Sequence, residues 1–277
     1  MRFPRWWYKA THPGEGGRAH EVEAWGWGDD EVAARAEAST RLRRILDRIA
    51  AGERLPSGYG YGTRPIREAV LEVVSGTDDA PDAVITRNQY GALVLNTTRL
   101  AFVDVDVPEP TLGETLGRLF GRTPAAEAIR QQIRQGLERS GWGGTFRLYR
   151  TAGGYRVLAT DREFRPGNAD TAALMTAVGA DPAYVSLCRV QQSFRARLTP
   201  KPWRCGVHPP PVGLLPGDLD NHQACQRWVA EYDATCSGHA TCRYLETIGT
   251  GQTAEWAVPL VAVHDTRTRA DTALPLA

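Results

Sequence analysis

Leu100-Ala101-Phe102-Val103-Asp104-Val105-Asp106 decides how this chain reads. Four apolar residues in succession predict a strand buried up to its carboxyl end, and Pro108 and Pro110 stop it. Side chains two positions apart on a strand leave the same face, so Asp104 and Asp106 emerge together. Carboxylates that close repel each other unless a cation or a shared proton sits between them. Mg²⁺ and Mn²⁺ prefer such oxygen ligands and bridge to substrate phosphates. The alternative is a strand end running into water with two solvated acids.

Working outward, residues 83–87 and 92–96 form two more β-like runs. Their spacers, Gln89-Tyr90-Gly91 and Thr97-Thr98, are short enough for hairpins. Downstream, the spacing predicts a long amphipathic helix over 111–139, broken near 121–124. A hairpin over 146–159, turning at Gly153-Gly154, follows it. Helices over 170–178 and 221–232 flank an arginine-rich stretch at 189–204 and a proline-rich loop at 208–211. Two last strands fall near 243–248 and 256–264. This order predicts an α/β (α+β) fold, an RRM-like or ferredoxin-like open sheet with helices packed on it. Before it, residues 1–28 read as strand-like, with Trp6, Trp7, Trp25 and Trp27 supplying bulk. A helix runs from 29 to 52, a glycine-tyrosine loop covers 57–62, and Pro65 opens a short helix over 66–74. Residues 1–80 are thus expected as an aromatic and helical extension packed on a core of residues 81–277.

Of the 277 residues, 42% are hydrophobic and 23% charged, as in an ordinary globular protein. The formal net charge is only +1, which argues against a general nucleic-acid binder. Lysine occurs only at Lys9 and Lys201, so nearly all positive charge is arginine, whose planar fork suits phosphate and carboxylate. No apolar run is long enough to span a bilayer, and no signal-peptide core follows Met1. Cys188, Cys205, Cys225, Cys236 and Cys242 are odd in number and irregularly spaced, which predicts reduced thiols and a cytoplasmic protein with no membrane contact. The spacing of Cys225, Cys236, His239 and Cys242 matches no compact finger, so zinc is not expected.

Three further features bear on chemistry. The Gly153-Gly154 hairpin is flanked by Arg147, Arg150 and Arg156, which would place guanidinium groups beside bare backbone. Arg195 and Arg197 alternate along one strand face and, with Lys201 and Arg204, would form an anion-binding surface. Phe194 and Trp203 would either stack on a base or pack in the core. Val261-Ala262-Val263-His264-Asp265 reads as an apolar strand ending in an acid. Asp265 either supplies a third carboxylate to a two-metal site or caps a terminal turn.

Ala101-Phe102-Val103-Asp104-Val105-Asp106, Thr151-Ala152-Gly153-Gly154-Tyr155-Arg156-Val157 and Val263-His264-Asp265 resemble, in that order, the three motifs of the archaeo-eukaryotic primase superfamily. These are an acid-x-acid strand end, a glycine-rich hairpin bearing a histidine, and a third acid at a strand end. The resemblance covers roughly residues 83–265 and departs from the pattern at Arg156, which stands where the nucleotide-contacting histidine belongs. It implies a metal-dependent nucleotidyltransferase acting on a nucleoside triphosphate and nucleic acid. Asp104, Asp106 and Asp265 would hold Mg²⁺ or Mn²⁺, and Arg156, Arg195 and Lys201 would contact triphosphate. A non-catalytic module for RNA or single-stranded DNA and a metal-dependent phosphoesterase are the other readings.

Overall fold

Strand-forming runs alternate with amphipathic stretches, and the computed structural model folds them into two compact units, Arg2–Arg67 and Glu68–Ala277, the second also including Met1. It describes residues 1–13, 21–53, 64–77, 80–108, 125–141, 143–211, 214 and 223–277. The 57–62 loop and the 111–124 part of the expected long helix lie outside the described residues.

In the smaller unit β1 (Trp6–His12) and β2 (Val22–Gly28) pair antiparallel, with Trp7 opposite Trp27 and Lys9 opposite Trp25. The helix α1 (Glu31–Ala50) begins where the Asp30 carboxylate accepts the Ala33 N–H at 2.7 Å, a side-chain N-cap. It buries Ala34, Ala38 and Leu42, four residues apart and so on one face. The tryptophans are faced by cations. Arg41 stands 4.4 Å from the Trp27 ring centre and Arg67 3.7 Å from that of Trp25.

The larger unit is α+β, and its described strands make two antiparallel four-stranded sheets where one was expected. In chain order its elements are β3 (Ala69–Gly76), β4 (Pro81–Arg87), β5 (Leu93–Thr97), β6 (Ala101–Asp106), α2 (Ala125–Arg139), β7 (Phe146–Thr151) and β8 (Gly154–Ala159). Then come α3 (Ala169–Val178), α4 (Pro182–Gln191), β9 (Phe194–Arg197), a 3₁₀ turn (Pro202–Arg204), α5 (Gln223–Cys236), β10 (Cys242–Ile248) and α6 (Val258–Thr268). One sheet has the order β3-β4-β5-β9 and the other β10-β7-β8-β6. The β6-α2-β7-β8 portion follows the expected plan, with β8 between β6 and β7. A ferredoxin-like sheet would seat the last strand beside the first, whereas β10 joins the opposite edge, next to β7.

Four local expectations change. Residues 66–74 are not a helix. Val70, Val73 and Val74 favour the pleated conformation and β3 pairs along β4, which moves the unit boundary from residue 80 to residue 67. Thr97-Thr98 is not a hairpin, because β5 pairs with β9 and β6 with β8. The chain crosses between sheets there, the Thr97 hydroxyl oxygen accepting the Leu100 N–H at 2.9 Å. Residues 258–268 form a helix instead of a strand, since Leu260, Val261, His264 and Thr268 recur at helical spacing on its buried side. Finally α4 was not foreseen. Asp181 opens it, its carboxylate accepting the Ala183 N–H at 2.9 Å, and Pro182 starts the first turn.

Phe102, Leu148, Val157 and Leu158 sit in a continuous core that also takes in Leu95 and Ala196 of the other sheet and Leu174, Met175 and Val178 of α3. Helices cover both faces of the β6 sheet. Tyr155 donates to the Ala126 carbonyl at the start of α2 on one side, while His264 of α6 stacks on Phe102 on the other. No helix among the described residues is long and apolar enough to cross a membrane.

Gly136 lets α2 touch α3, since a Cβ there would stand 1.9 Å from the Ala177 carbonyl oxygen. Gly136→Ala should therefore lower stability by about 1–3 kcal/mol, although alanine raises intrinsic helix preference by about 1 kcal/mol. Equilibrium urea denaturation measures it, and a stability gain would show that the helices can part at little cost.

Candidate anion-binding site

On the α6 face of the second sheet, Asp104, Arg156, Tyr149 and Tyr244 form one cross-strand row, set by the registers Asp104↔Arg156, Tyr149↔Arg156 and Tyr244↔Tyr149. Asp106, two residues beyond Asp104, shares that face, as strand alternation requires. Arg156 is 1% exposed and grips both oxygens of Asp104, Nε to Oδ1 at 2.7 Å and Nη2 to Oδ2 at 3.0 Å. Burial alone would depress the Arg156 pKa, but the Asp104 carboxylate outweighs it and holds the guanidinium charged. For Asp104 burial pushes the pKa up, and the charge and hydrogen bonds of Arg156 pull it below the ordinary carboxylate value.

The same guanidinium reaches the other sheet. Its Nη1 donates to the Arg197 carbonyl at 3.0 Å. Nearby the Tyr184 hydroxyl lies 2.9 Å from the Phe102 carbonyl and 3.1 Å from that of Arg195, and accepts the Arg195 N–H at 3.3 Å. Arg156 and Tyr184 thereby satisfy the outer edge of β9 and tie it to β6 and β8, where a bare edge would expose unpaired backbone.

Behind Arg156 stands His264, fully buried, with Nε2 3.3 Å from Arg156 Nη1 and Nδ1 2.8 Å from Asp265 Oδ1. Burial lowers its pKa, Asp265 opposing, so at neutral pH it is neutral. A guanidinium on one side and a carboxylate on the other select the tautomer with Nδ1–H donating to Asp265. Asp265 is completed by Arg147 Nη2 at 2.7 Å. Burial raises the Asp265 pKa, but the His264 hydrogen bond, with help from Tyr149 and Arg147, holds it below the ordinary value.

Several sequence-derived assignments change accordingly. Asp265 lies on α6 and not at a strand end, and Arg156 and His264 intervene between it and Asp104. Among the described residues no three His, Cys, Asp or Glu side chains converge as a metal site. Asp104 and Asp106 share one face, and Asp265 is set apart from them. Arg147 and Arg156, expected on phosphate, are engaged by Asp265 and Asp104. The Arg195 guanidinium is taken by Glu68 and Gln191. Phe194 is in the core, leaving Trp203, 52% exposed, as the ring that faces water. Cys205, Cys225 and Cys236 line a small apolar cluster around Trp228 and Tyr232, and the Cys242 thiol lies 3.9 Å from His264.

Arg197, Lys201 and Arg204 remain. No described carboxylate is hydrogen-bonded to any of the three. Arg197 leaves β9 beside the Asp104–Arg156 pair. Lys201 precedes the 3₁₀ turn, with Nζ 5.3 Å from the Trp203 ring centre. Arg204 ends that turn over the β7–β8 hairpin, where a Cβ on Gly153 would stand 3.1 Å from its Nη2. The three share one field. Burial first, then the charges of Arg197 and Arg204, lower the Lys201 pKa against the pull of Asp106. Burial also lowers that of Arg197, with Asp104 and Asp106 opposing and Arg156 and Arg204 reinforcing. Mutually repelling cations with no hydrogen-bonded acid are what an incoming oxyanion relieves.

Tyr184 and His264 hold the site's frame; Tyr184 carries no motif that marks it, and His264 falls in Val263-His264-Asp265, where only the acid was given a role. The only cue for Tyr184 is the Asp181-Pro182 helix start ahead of it. Searches of protein-family models, of curated proteins and of solved structures found no match to this chain.

Removing the Arg156 head group with Arg156→Met leaves the half-buried Asp104 and the Arg197 carbonyl without their partner, and should cost about 2–3 kcal/mol. The pH dependence follows from three depressed values. The His264 contribution is complete above its ordinary 6.5 and is lost as pH falls from there toward its lower folded value, because the unfolded chain takes up the proton first. Asp104 and Asp265 contribute above their ordinary 3.8, and that part disappears as pH falls toward their folded values. Urea midpoints taken from neutral to acid pH should decline in those two stages. Stability that rises on acidification below 6.5 would contradict the neutral buried imidazole.

Proposed function

We propose that the protein binds the phosphates of a nucleotide or of single-stranded nucleic acid at Arg197, Lys201 and Arg204. The supporting observation is the convergence of three cations, free of described carboxylate partners, on the sheet face that carries Asp104 and Asp106. Arginine forks bind phosphate bidentately and lysine adds a point charge. A base has a surface to meet as well, since Trp203 stands edge-to-face with the exposed Tyr90, ring centres 6.0 Å apart. The net charge of +1 is compatible because the positive field is local.

Metal-dependent nucleotidyl transfer is the second reading, and the shared face of Asp104 and Asp106 favours it. In that case a divalent ion arrives with the triphosphate, and these two carboxylates are its protein ligands. Asp104 already carries a guanidinium on both oxygens, so the binding half of the reading has the stronger geometric support.

Titration calorimetry with a nucleoside triphosphate, with Mg²⁺ and with chelator, separates the two. Phosphate binding predicts affinity that survives chelation and weakens about tenfold or more for each of Arg197→Ala and Arg204→Ala, the worth of a hydrogen bond to a charged group. Asp106→Asn should tighten binding by removing a repelling charge. Strict dependence on Mg²⁺ together with loss of binding in Asp106→Asn would replace this reading with nucleotidyl transfer, and pyrophosphate release against inorganic phosphate would then separate transferase from phosphoesterase. No binding under either condition would end both.

A further inference from the structure

A cavity of about 280 Å³ opens on another side of the larger unit, between the chain at Leu93 and Leu198–Pro200 and the carboxyl ends of α5 and α6. We infer that it is a binding site for a small aliphatic monocarboxylate, with Arg269 as the anchor. Leu93, Leu198 and Pro200 supply an apolar wall. The wall's other charged groups are already paired: Asp233 with Arg87 at 2.8 Å and Arg267 with Glu72 at 2.8 Å. The hydroxyls of Ser237 and Thr241 donate to the carbonyls of Ala234 and Leu198. Arg269 differs from all of these. Arg269 lines the cavity, and its guanidinium has no hydrogen-bond or ion-pair partner among the described residues.

Its backbone supplies an independent observation. Arg269 follows the last turn of α6 in the left-handed region, φ 58° and ψ 40°, a place glycine fills at no steric cost. An arginine in this conformation costs folding free energy that glycine would not, so the fold alone does not favour it there. One unpaired guanidinium beside apolar surface matches one carboxylate with a hydrocarbon tail. The volume lies just under the range of drug-sized pockets and so suits a small metabolite. A phosphate would call for more than one free cation, which this wall lacks.

The test uses the full chain and two probes, butanoate and inorganic phosphate, followed through the arginine Nε–H signals by NMR. Butanoate should shift the Arg269 signal saturably, and Arg269→Gly should weaken its binding at least tenfold. The same variant should melt no lower than the parent and about 2 °C higher, because glycine relieves the left-handed strain. That thermal result separates loss of a ligand contact from loss of fold. The inference is overturned if butanoate produces no saturable shift, if Arg269→Gly binds it unchanged, or if phosphate saturates the Arg269 signal at lower concentration than butanoate.

Discussion

A guanidinium placed between two sheets and cut off from water must have its charge and its N–H groups satisfied, and Arg156 meets that constraint on every side. Its side-on edge takes both oxygens of Asp104, and Nη1 serves the Arg197 carbonyl of the facing sheet with His264 adjacent. A buried ion pair is weak evidence of net stability, because the desolvation of two charges offsets most of their attraction. What this one supplies is geometry. The planar fork fixes the distance and angle between β8, β6 and the edge of β9, and a hydrophobic residue of equal size would leave the Arg197 carbonyl without a donor.

The same pairing recurs and decides what is left for ligands. Asp104 takes Arg156, Asp265 takes Arg147 and Glu68 takes Arg195, each on or beside a strand of the two sheets. Acid and base cancel in each case, and the cancelled groups act as internal struts. Arg197, Lys201 and Arg204 fall outside this scheme, so the local field at the open side of the Asp104 face is positive although the chain as a whole is nearly neutral. Trp203 stands within that field, and the hairpin at Gly153 has the bare backbone that lets Arg204 lie close above it.

Much of the fold was legible in residue patterns. Strands β4 to β8 and helices α1, α3 and α5 fall close to where periodicity and turn residues put them, because most of them are bounded by glycine, proline or a cap. The errors lie where local preference is ambiguous. Val258-Pro259-Leu260-Val261-Ala262-Val263 is rich in β-branched residues and reads as a strand, yet the burial of Leu260, Val261 and His264 against the sheet makes it a helix. Pro65 suggested a helix start that the valines of β3 overrule by pairing with β4. The site was legible in its residue types but not in its pairings. Alternation alone put Asp104 and Asp106 on one face and Arg197 among the cations. No pattern in the chain reveals that Arg156 and Asp104, 52 residues apart, neutralise each other, or that a helix carries Asp265. Such partnerships arise from strand order, which short-range patterns do not encode.

Arg156 is a structural guanidinium, and Arg197 and Arg204 beside it have no hydrogen-bonded acid among the described residues. Arginine Nε–H spectra of the labelled protein, recorded with and without a nucleoside triphosphate, distinguish the two kinds of arginine. The Arg156 signal should exchange slowly with water and stay in place, while those of Arg197 and Arg204 move on addition of ligand. An Arg156 proton that exchanges as fast as those of surface arginines, or that moves with ligand while Arg197 and Arg204 do not, would contradict the account.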